Sequence, residues 1–203
     1  MDFFEVFGLP RHLQIDLAAL EKAFYAQSRK LHPDRFAGRP TAEQEAALAE
    51  SSRLNDAYRT LKDPIPRTQY MLSLEGVELE EQSKAATEAA RAAGGEKKQL
   101  IPPELLEEVF ELNMQLAEMK AAKQFGDEAD PELRRDLEAA ARGFDARMAA
   151  TQRELEALWV RWDEAVDGGD AAARTAVRDQ LVALLNKRSY LRNLVRDVAA
   201  ALD

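Results

Sequence analysis

Two groups of residues have the types and spacing to do chemistry, and in both the chemistry is recognition. The first is His32, Pro33 and Asp34, an imidazole and a carboxylate separated by a proline that fixes its own φ and removes a backbone donor. Arg29 and Lys30 precede this tripeptide and Arg35 follows it, and across residues 22–39 five cations stand against one anion, Asp34. A turn that presents concentrated positive charge steers an acidic partner toward itself. The second group lies in residues 101–118, where Glu104, Glu107, Glu108, Glu111 and Glu118 occur without any Lys or Arg. Two apolar sets run through them. At 100° per residue, Leu105, Val109, Leu112, Leu116 and Met119 fall within about 80° of one another, a complete core stripe for one helix. Leu106, Phe110 and Met114 form a second stripe roughly 140° away, flanked by Glu107, Glu111 and Glu118. The first stripe accounts for packing, so the second is expected to be exposed. An exposed apolar strip edged by carboxylates is a partner-binding face, in which burial supplies affinity and charge supplies orientation.

No catalytic or metal constellation accompanies these groups. The chain has no Cys and only His12 and His32 as imidazoles, with neither His-x-x-x-His nor acid-rich ligand spacing around them. A Gly-rich phosphate loop and a Gly-x-Ser-x-Gly elbow are both missing. The expectation is a protein that is no enzyme, with no catalytic residue, cofactor or metal. Its 28 Lys and Arg against 37 Asp and Glu, a net charge of -9, argue against a generally basic nucleic-acid binder. Absence of Cys fits a reducing compartment. No apolar run approaches the roughly 18 residues of a membrane span, and Met1-Asp2-Phe3-Phe4-Glu5 lacks a basic leader region, so a cytoplasmic protein without a membrane partner is expected. Arg147, Arg153, Arg161, Lys187, Arg188 and Arg192 read as solvated faces and helical ion-pair partners.

The elements that must position these groups are helical. Val, Ile and Thr are scarce, while Ala, Leu, Glu and Arg recur at helical spacing, which predicts an all-α protein. Residues 1–74 hold ten basic and ten acidic side chains, so the negative excess lies downstream; this asymmetry predicts two domains. A short opening helix ends at Gly8. Asp16 is an N-cap candidate for a helix with Leu17, Leu20, Phe24 and Leu31 on one side, ended by Pro33. A second helix over 41–62 carries Leu54, Tyr58 and Leu61, making an antiparallel hairpin with the His-Pro-Asp turn in its loop. Pro64 and Pro66 then punctuate the chain before one or two turns over 68–74. Residues 75–103 read as a linker containing Gly94 and Gly95 and closing on Pro102 and Pro103, with a helix possible over 80–93. Residues 104–203 predict an antiparallel three-helix bundle, with helical segments over 103–125, ended by Gly126, then 131–166 and 170–202. The middle helix, about 50 Å long at 1.5 Å per residue, carries Leu133, Leu137, Phe144, Leu155 and Trp162 at steps of three or four and their sums. Trp159 and Trp162 are expected in the bundle core and at its margin. Tyr190 falls about 180° from the stripe of Leu181, Leu184 and Leu191, and is expected to be exposed.

Residues 2–74 thereby resemble a J domain, with the short opening helix, the amphipathic hairpin and the His-Pro-Asp turn in place. More narrowly, "MDFFEVFGLP", "RKLHPDRF" and "RLNDAYRTLKDPIPRTQYMLSL", with the helical tail, resemble the HscB co-chaperones of iron–sulfur cluster assembly over nearly the whole chain. That resemblance implies a co-chaperone that docks on a DnaK/HscA-type chaperone and stimulates its ATP hydrolysis, while the bundle holds the IscU-type scaffold protein. It implies that His32 and Pro33 shape the loop, that Asp34 contacts an arginine of the chaperone, and that Arg29, Lys30 and Arg35 steer the encounter. The family's scaffold site maps onto Leu106, Phe110, Glu111 and Glu118, with Tyr190 where Phe is usual. Two positions depart: the family often has an apolar residue where this chain has Glu107 and an acidic one where it has Met114. Two other readings stay open, a J-domain protein for a different client and a structural helical-bundle protein with an accidental His-Pro-Asp. A monomer is favoured.

Overall fold

The structure, a computed structural model, describes residues 1–77, 79, 105–125 and 130–203, and all regular structure among them is helical. In chain order the helices are α1 (Phe3–Val6), α2 (Leu17–Lys30), α3 (Thr41–Lys62), α4 (Pro64–Leu74), α5 (Leu106–Phe125), α6 (Pro131–Asp167) and α7 (Ala171–Leu202), with a 3₁₀ turn at Pro33–Arg35. The expected helix over 80–93, the Gly and Pro residues of the linker, and Gly126 lie outside the described residues.

Local chemistry sets the helix ends. Asp2 accepts from the Glu5 amide while the Glu5 carboxylate accepts from the Asp2 amide, a reciprocal capping box on α1. Gly8 follows at φ 64°, a left-handed conformation that a side chain would resist. The Asp16 carboxylate takes the amides of Ala18 and Ala19 at the start of α2. That helix stops at Lys30, before Pro33 is reached, as the restricted residue before a proline requires. Helix α4 begins at Pro64, capped by Asp63, four residues earlier than the sequence reading placed it. Both prolines occupy its first turn, where backbone amides have no intrahelical acceptor and their loss costs nothing.

Contacts divide the chain into two compact units, Met1–Val77 with Leu158–Asp179, and Glu78–Ala157 with Gln180–Asp203. The division does not follow chain order, since the α6–α7 turn region belongs with the N-terminal helices. Trp159 and Trp162, expected in the bundle, are accordingly buried in the first unit, and the Trp162 indole Nε1 lies 3.4 Å from the Arg11 carbonyl it donates to.

In the first unit, Phe4, Leu13, Leu20, Leu54, Leu61, Met71 and Leu72 are buried. The Phe24 and Tyr58 rings stack at 4.1 Å between α2 and α3. Leu17 departs from expectation: it is half exposed and borders an open groove with Tyr58 and Pro64 instead of a filled core. Residues 11–14 are pinned from two sides. Asp163 of α6 accepts from the Leu13 and Gln14 amides at 2.6 and 2.9 Å. Arg67 of α4 donates its Nε to the Leu13 carbonyl at 2.8 Å and an Nη to the Leu61 carbonyl. His12 Nε2 lies 2.8 Å from the Asp167 carboxylate. Burial raises the pKa of Asp163 despite the two amides and His12 that favour its anion. Burial likewise lowers that of Arg67, against the pull of Asp163 and Asp63.

In the second unit, Leu105, Val109, Leu112 and Met119 pack with Leu133, Leu137 and Phe144 of α6 and with Tyr190, Leu191, Leu194 and Val198 of α7. This is a three-helix core. An ion pair between Glu108 and Arg147 ties α5 to α6 at the edge.

The α1 cap makes a pH-dependent prediction. Burial alone would raise the Asp2 carboxyl, but the Glu5 amide and the Arg11 guanidinium overcome it and hold the pKa below its usual value. A pKa lowered on folding gives stability that is present above the unfolded value of about 3.9 and lost as pH falls through the folded one. Asp2→Ala is expected to cost about 1 kcal/mol at neutral pH, as for loss of an N-cap. Urea unfolding at a series of pH values should show the gap between variant and wild type closing below about pH 4.

Candidate functional site

The hairpin of α2 and α3 presents the His-Pro-Asp turn at its end. Leu31 closes α2 with its amide on the Gln27 carbonyl, and the 3₁₀ turn is closed by the Arg35 amide donating to the His32 carbonyl at 2.9 Å. His32 and Asp34 are exposed. His32 Nδ1 faces both the Asp34 amide and the Asp34 carboxylate, each at 3.4 Å, so ring and carboxylate stand side by side on the surface. Arg35 folds back so that its Nη1 lies 3.4 Å from the Arg29 carbonyl, placing a cation where the last carbonyls of α2 concentrate negative charge. Arg29, Lys30 and Arg35 are all exposed. The structure thus brings the five charged and imidazole members of the expected site together, with Pro33 opening the turn. Nothing here activates a nucleophile, and among the described residues no group of three or more His, Asp or Glu side chains could hold a metal ion.

Helix α5 divides its circumference as the spacing predicts. Val109 and Met119 are 2% exposed and Leu112 1%, whereas Leu106, Phe110 and Met114 are 51%, 71% and 63% exposed. Glu107, Glu111 and Glu118 are exposed around them. Glu108, engaged by Arg147, sits on the packed side of this strip.

Tyr190 is the correction. It is 8% exposed and belongs to the core of the second unit with Leu191 and Leu194, and burial raises its phenol pKa. The error lay in extending one stripe along all of α7. Val177, Leu181 and Leu185 are buried in its first half and Tyr190, Leu194 and Val198 in its second, and at 100° per residue the centres of those two arcs differ by roughly 140°. The buried side of α7 turns between Leu185 and Tyr190, within the second unit, and Tyr190 turns inward with it.

The spacing gave no hint that Arg67 and Asp163 work on the same backbone segment, because their hydrogen bonds to Leu13 span 54 and 150 residues. The only signal was the placing of an Arg and an Asp on otherwise apolar helix faces.

A helical hairpin with this turn defines a class, the J-domain proteins, and the DnaJ domain family model matches residues 2–70. The chain belongs to the HscB family of J-domain co-chaperones. It is 32% identical over 202 residues to the co-chaperone protein HscB homolog of Ralstonia nicotianae, covering 98% of this chain and 93% of that one. It is 35% identical over 153 residues to the homolog of Vibrio cholerae, covering 75% of this chain and 74% of the relative. The solved HscB chaperone of Vibrio cholerae matches its fold with a TM-score of 0.58 at 24% identity, over 98% of this chain and 96% of that one. Human co-chaperone HscB matches with a TM-score of 0.59 at 24% identity, over 98% and 81%. The protein is therefore a co-chaperone, and HscB-type co-chaperones are not enzymes themselves.

The opposite placements of two aromatic residues can be checked by urea denaturation. Tyr190→Ala is expected to lose about 3 kcal/mol or more, as for an aromatic removed from a core. Phe110→Ala is expected to stay within about 0.5 kcal/mol of wild type, as for a surface substitution.

Proposed function

We propose that this protein is a two-point adaptor that brings an IscU-type iron–sulfur scaffold protein to an HscA/DnaK-type chaperone and stimulates ATP hydrolysis there. The observation that carries the reading is the exposed strip of Leu106, Phe110 and Met114 on a helix whose other face is buried, in a chain that also bears the J-domain turn. Apolar anchors ringed by Glu107, Glu111 and Glu118 suit a partner whose own contact surface is apolar and basic-rimmed. Tyr190 has no part in this contact, so the scaffold site is confined to α5.

At the other surface, Arg29, Lys30 and Arg35 draw an acidic face of the chaperone toward the turn, raising the rate of encounter. Asp34 meets an arginine of the chaperone while His32 and Pro33 shape the loop, roles taken from the family resemblance; ring and carboxylate stand 3.4 Å apart. Holding client and chaperone at once raises the effective concentration of each for the other, and needs no chemistry from this chain. The cytoplasm is the proposed site of action; no described helix is long and apolar enough to cross a membrane.

Steady-state ATPase measurements on the chaperone, with and without scaffold, test the reading. His32→Gln or Asp34→Asn is expected to abolish stimulation with helical circular dichroism unchanged; unchanged stimulation would remove the turn from the mechanism. The double variant Leu106→Ala with Phe110→Ala is expected to weaken scaffold binding, measured calorimetrically, by about 2 kcal/mol, roughly 30-fold. Wild-type affinity in that variant would place the scaffold contact outside the strip, and no scaffold binding by wild type would point to a different client.

A further inference from the structure

The exposed strip of α5 does not end at Met114. Phe125, the last residue of that helix, is 79% exposed, and Ala117 and Ala121 between them are exposed as well. We propose that Phe125 is a second aromatic anchor for the scaffold protein, so that the contact runs the whole length of α5. This role presupposes that the strip is the scaffold site.

Alignment puts Phe125 in the same row. At 100° and 1.5 Å per residue, Leu106, Phe110, Met114, Ala117, Ala121 and Phe125 fall within roughly 100° of one another along about 28 Å of helix. Among the described residues nine large hydrophobic side chains are exposed, and four of them, Leu106, Phe110, Met114 and Phe125, lie on this one line. Scattered exposed apolar residues are ordinary; a row of them marks a surface that a partner covers.

The fold makes little use of this phenylalanine. The core of the second unit takes Val109, Leu112 and Met119 from α5, and no residue from Lys120 to Phe125 is buried. An aromatic ring so placed keeps its apolar surface in water until another surface removes it.

Shape suits two separate anchor points. Met114 and Phe125 stand about 16 Å apart along the axis, and Ala117 and Ala121 between them project no further than Cβ, which lets a partner's backbone approach the helix closely there. Large side chains at both ends of a shallow saddle fit a partner with two apolar pockets, and aromatic rings in such pockets tend to carry an interface's affinity.

Charge selects the occupant and sets its direction. Glu107, Glu111 and Glu118 edge the first part of the strip, whereas residues 119–125 carry Lys120 and Lys123 and no acid, both lysines being exposed. A scaffold lying along α5 therefore presents bases toward Leu106 and a neutral or acidic margin beside Phe125. A second copy of this chain is the rival occupant. Its strip carries the same three carboxylates against two lysines, so two copies repel on balance, while a base-rimmed scaffold is drawn in. Continuity with Leu106 and Phe110 also favours the scaffold, since one partner surface then covers an unbroken row.

The test is calorimetric titration of an IscU-type scaffold with the full chain as wild type, as Phe125→Ala, and as Ala121→Glu, which sets a carboxylate in the saddle. Leu17→Ala trims an exposed leucine of the first unit and serves as control. The dissociation constant is expected to rise about fivefold or more for the two strip variants, as for loss of an interface anchor, and to stay within roughly twofold for the control. Circular dichroism melts of Phe125→Ala should match wild type. A constant within about twofold of wild type in either strip variant, or an equal rise in the control, overturns the proposal. So does a lowered melt of Phe125→Ala, which would make the ring part of the fold, or sedimentation velocity showing self-association that Phe125→Ala abolishes. Failure of the strip reading itself looks different: wild type then binds no scaffold, or Leu106→Ala with Phe110→Ala keeps wild-type affinity.

Discussion

The first compact unit depends on two buried, opposite charges that share a stretch of backbone. Asp163 takes the amides of Leu13 and Gln14, and Arg67 gives to the carbonyls of Leu13 and Leu61. Each charge was stripped of water to get there, a cost of several kcal/mol per ion that only well-made hydrogen bonds offset. The result is directional. Residues 11–14 have one place to lie, between α4 and the end of α6, and Asp16 follows two residues later as the cap that starts α2. The turn that α2 and α3 present is thus located by contacts made far from it.

Helix circumference is the second constraint. A single helix can face a core and a partner only if it has two apolar stripes and something polar between them, and α5 has both, with Val109 and Leu112 inward and Leu106 and Phe110 outward. The longer α7 solves a different problem. Its buried arc turns along its length, between Leu185 and Tyr190, and encloses Tyr190 in the second unit. One periodicity cannot describe such a helix.

The turn and the α5 strip carry opposite charge. The turn is ringed by Arg29, Lys30 and Arg35, and the strip by Glu107, Glu111 and Glu118, all exposed. In the proposed function, opposite signs let the two surfaces choose different partners from the same solution. Neither set of charges interferes with packing, since every one of them lies off the buried stripes.

Whatever depends on near neighbours in the chain is legible in the order of residues. Helix class, most helix boundaries, the Asp16 cap, the His-Pro-Asp turn and the two stripes of α5 all follow from interactions within about four residues, which spacing records directly. The start of α4 was misplaced only because prolines were read as breaks, when the first turn of a helix accepts them. Tertiary structure decided the rest. The placing of Trp159 and Trp162 in the first unit, the turning of Tyr190 into a core, the half-exposed Leu17 and the pinning of residues 11–14 by Arg67 and Asp163 all require partners tens to more than a hundred residues away. A periodic pattern states which side of a helix is apolar; it carries no record of which neighbour covers that side, or of where along a 32-residue helix the neighbour changes.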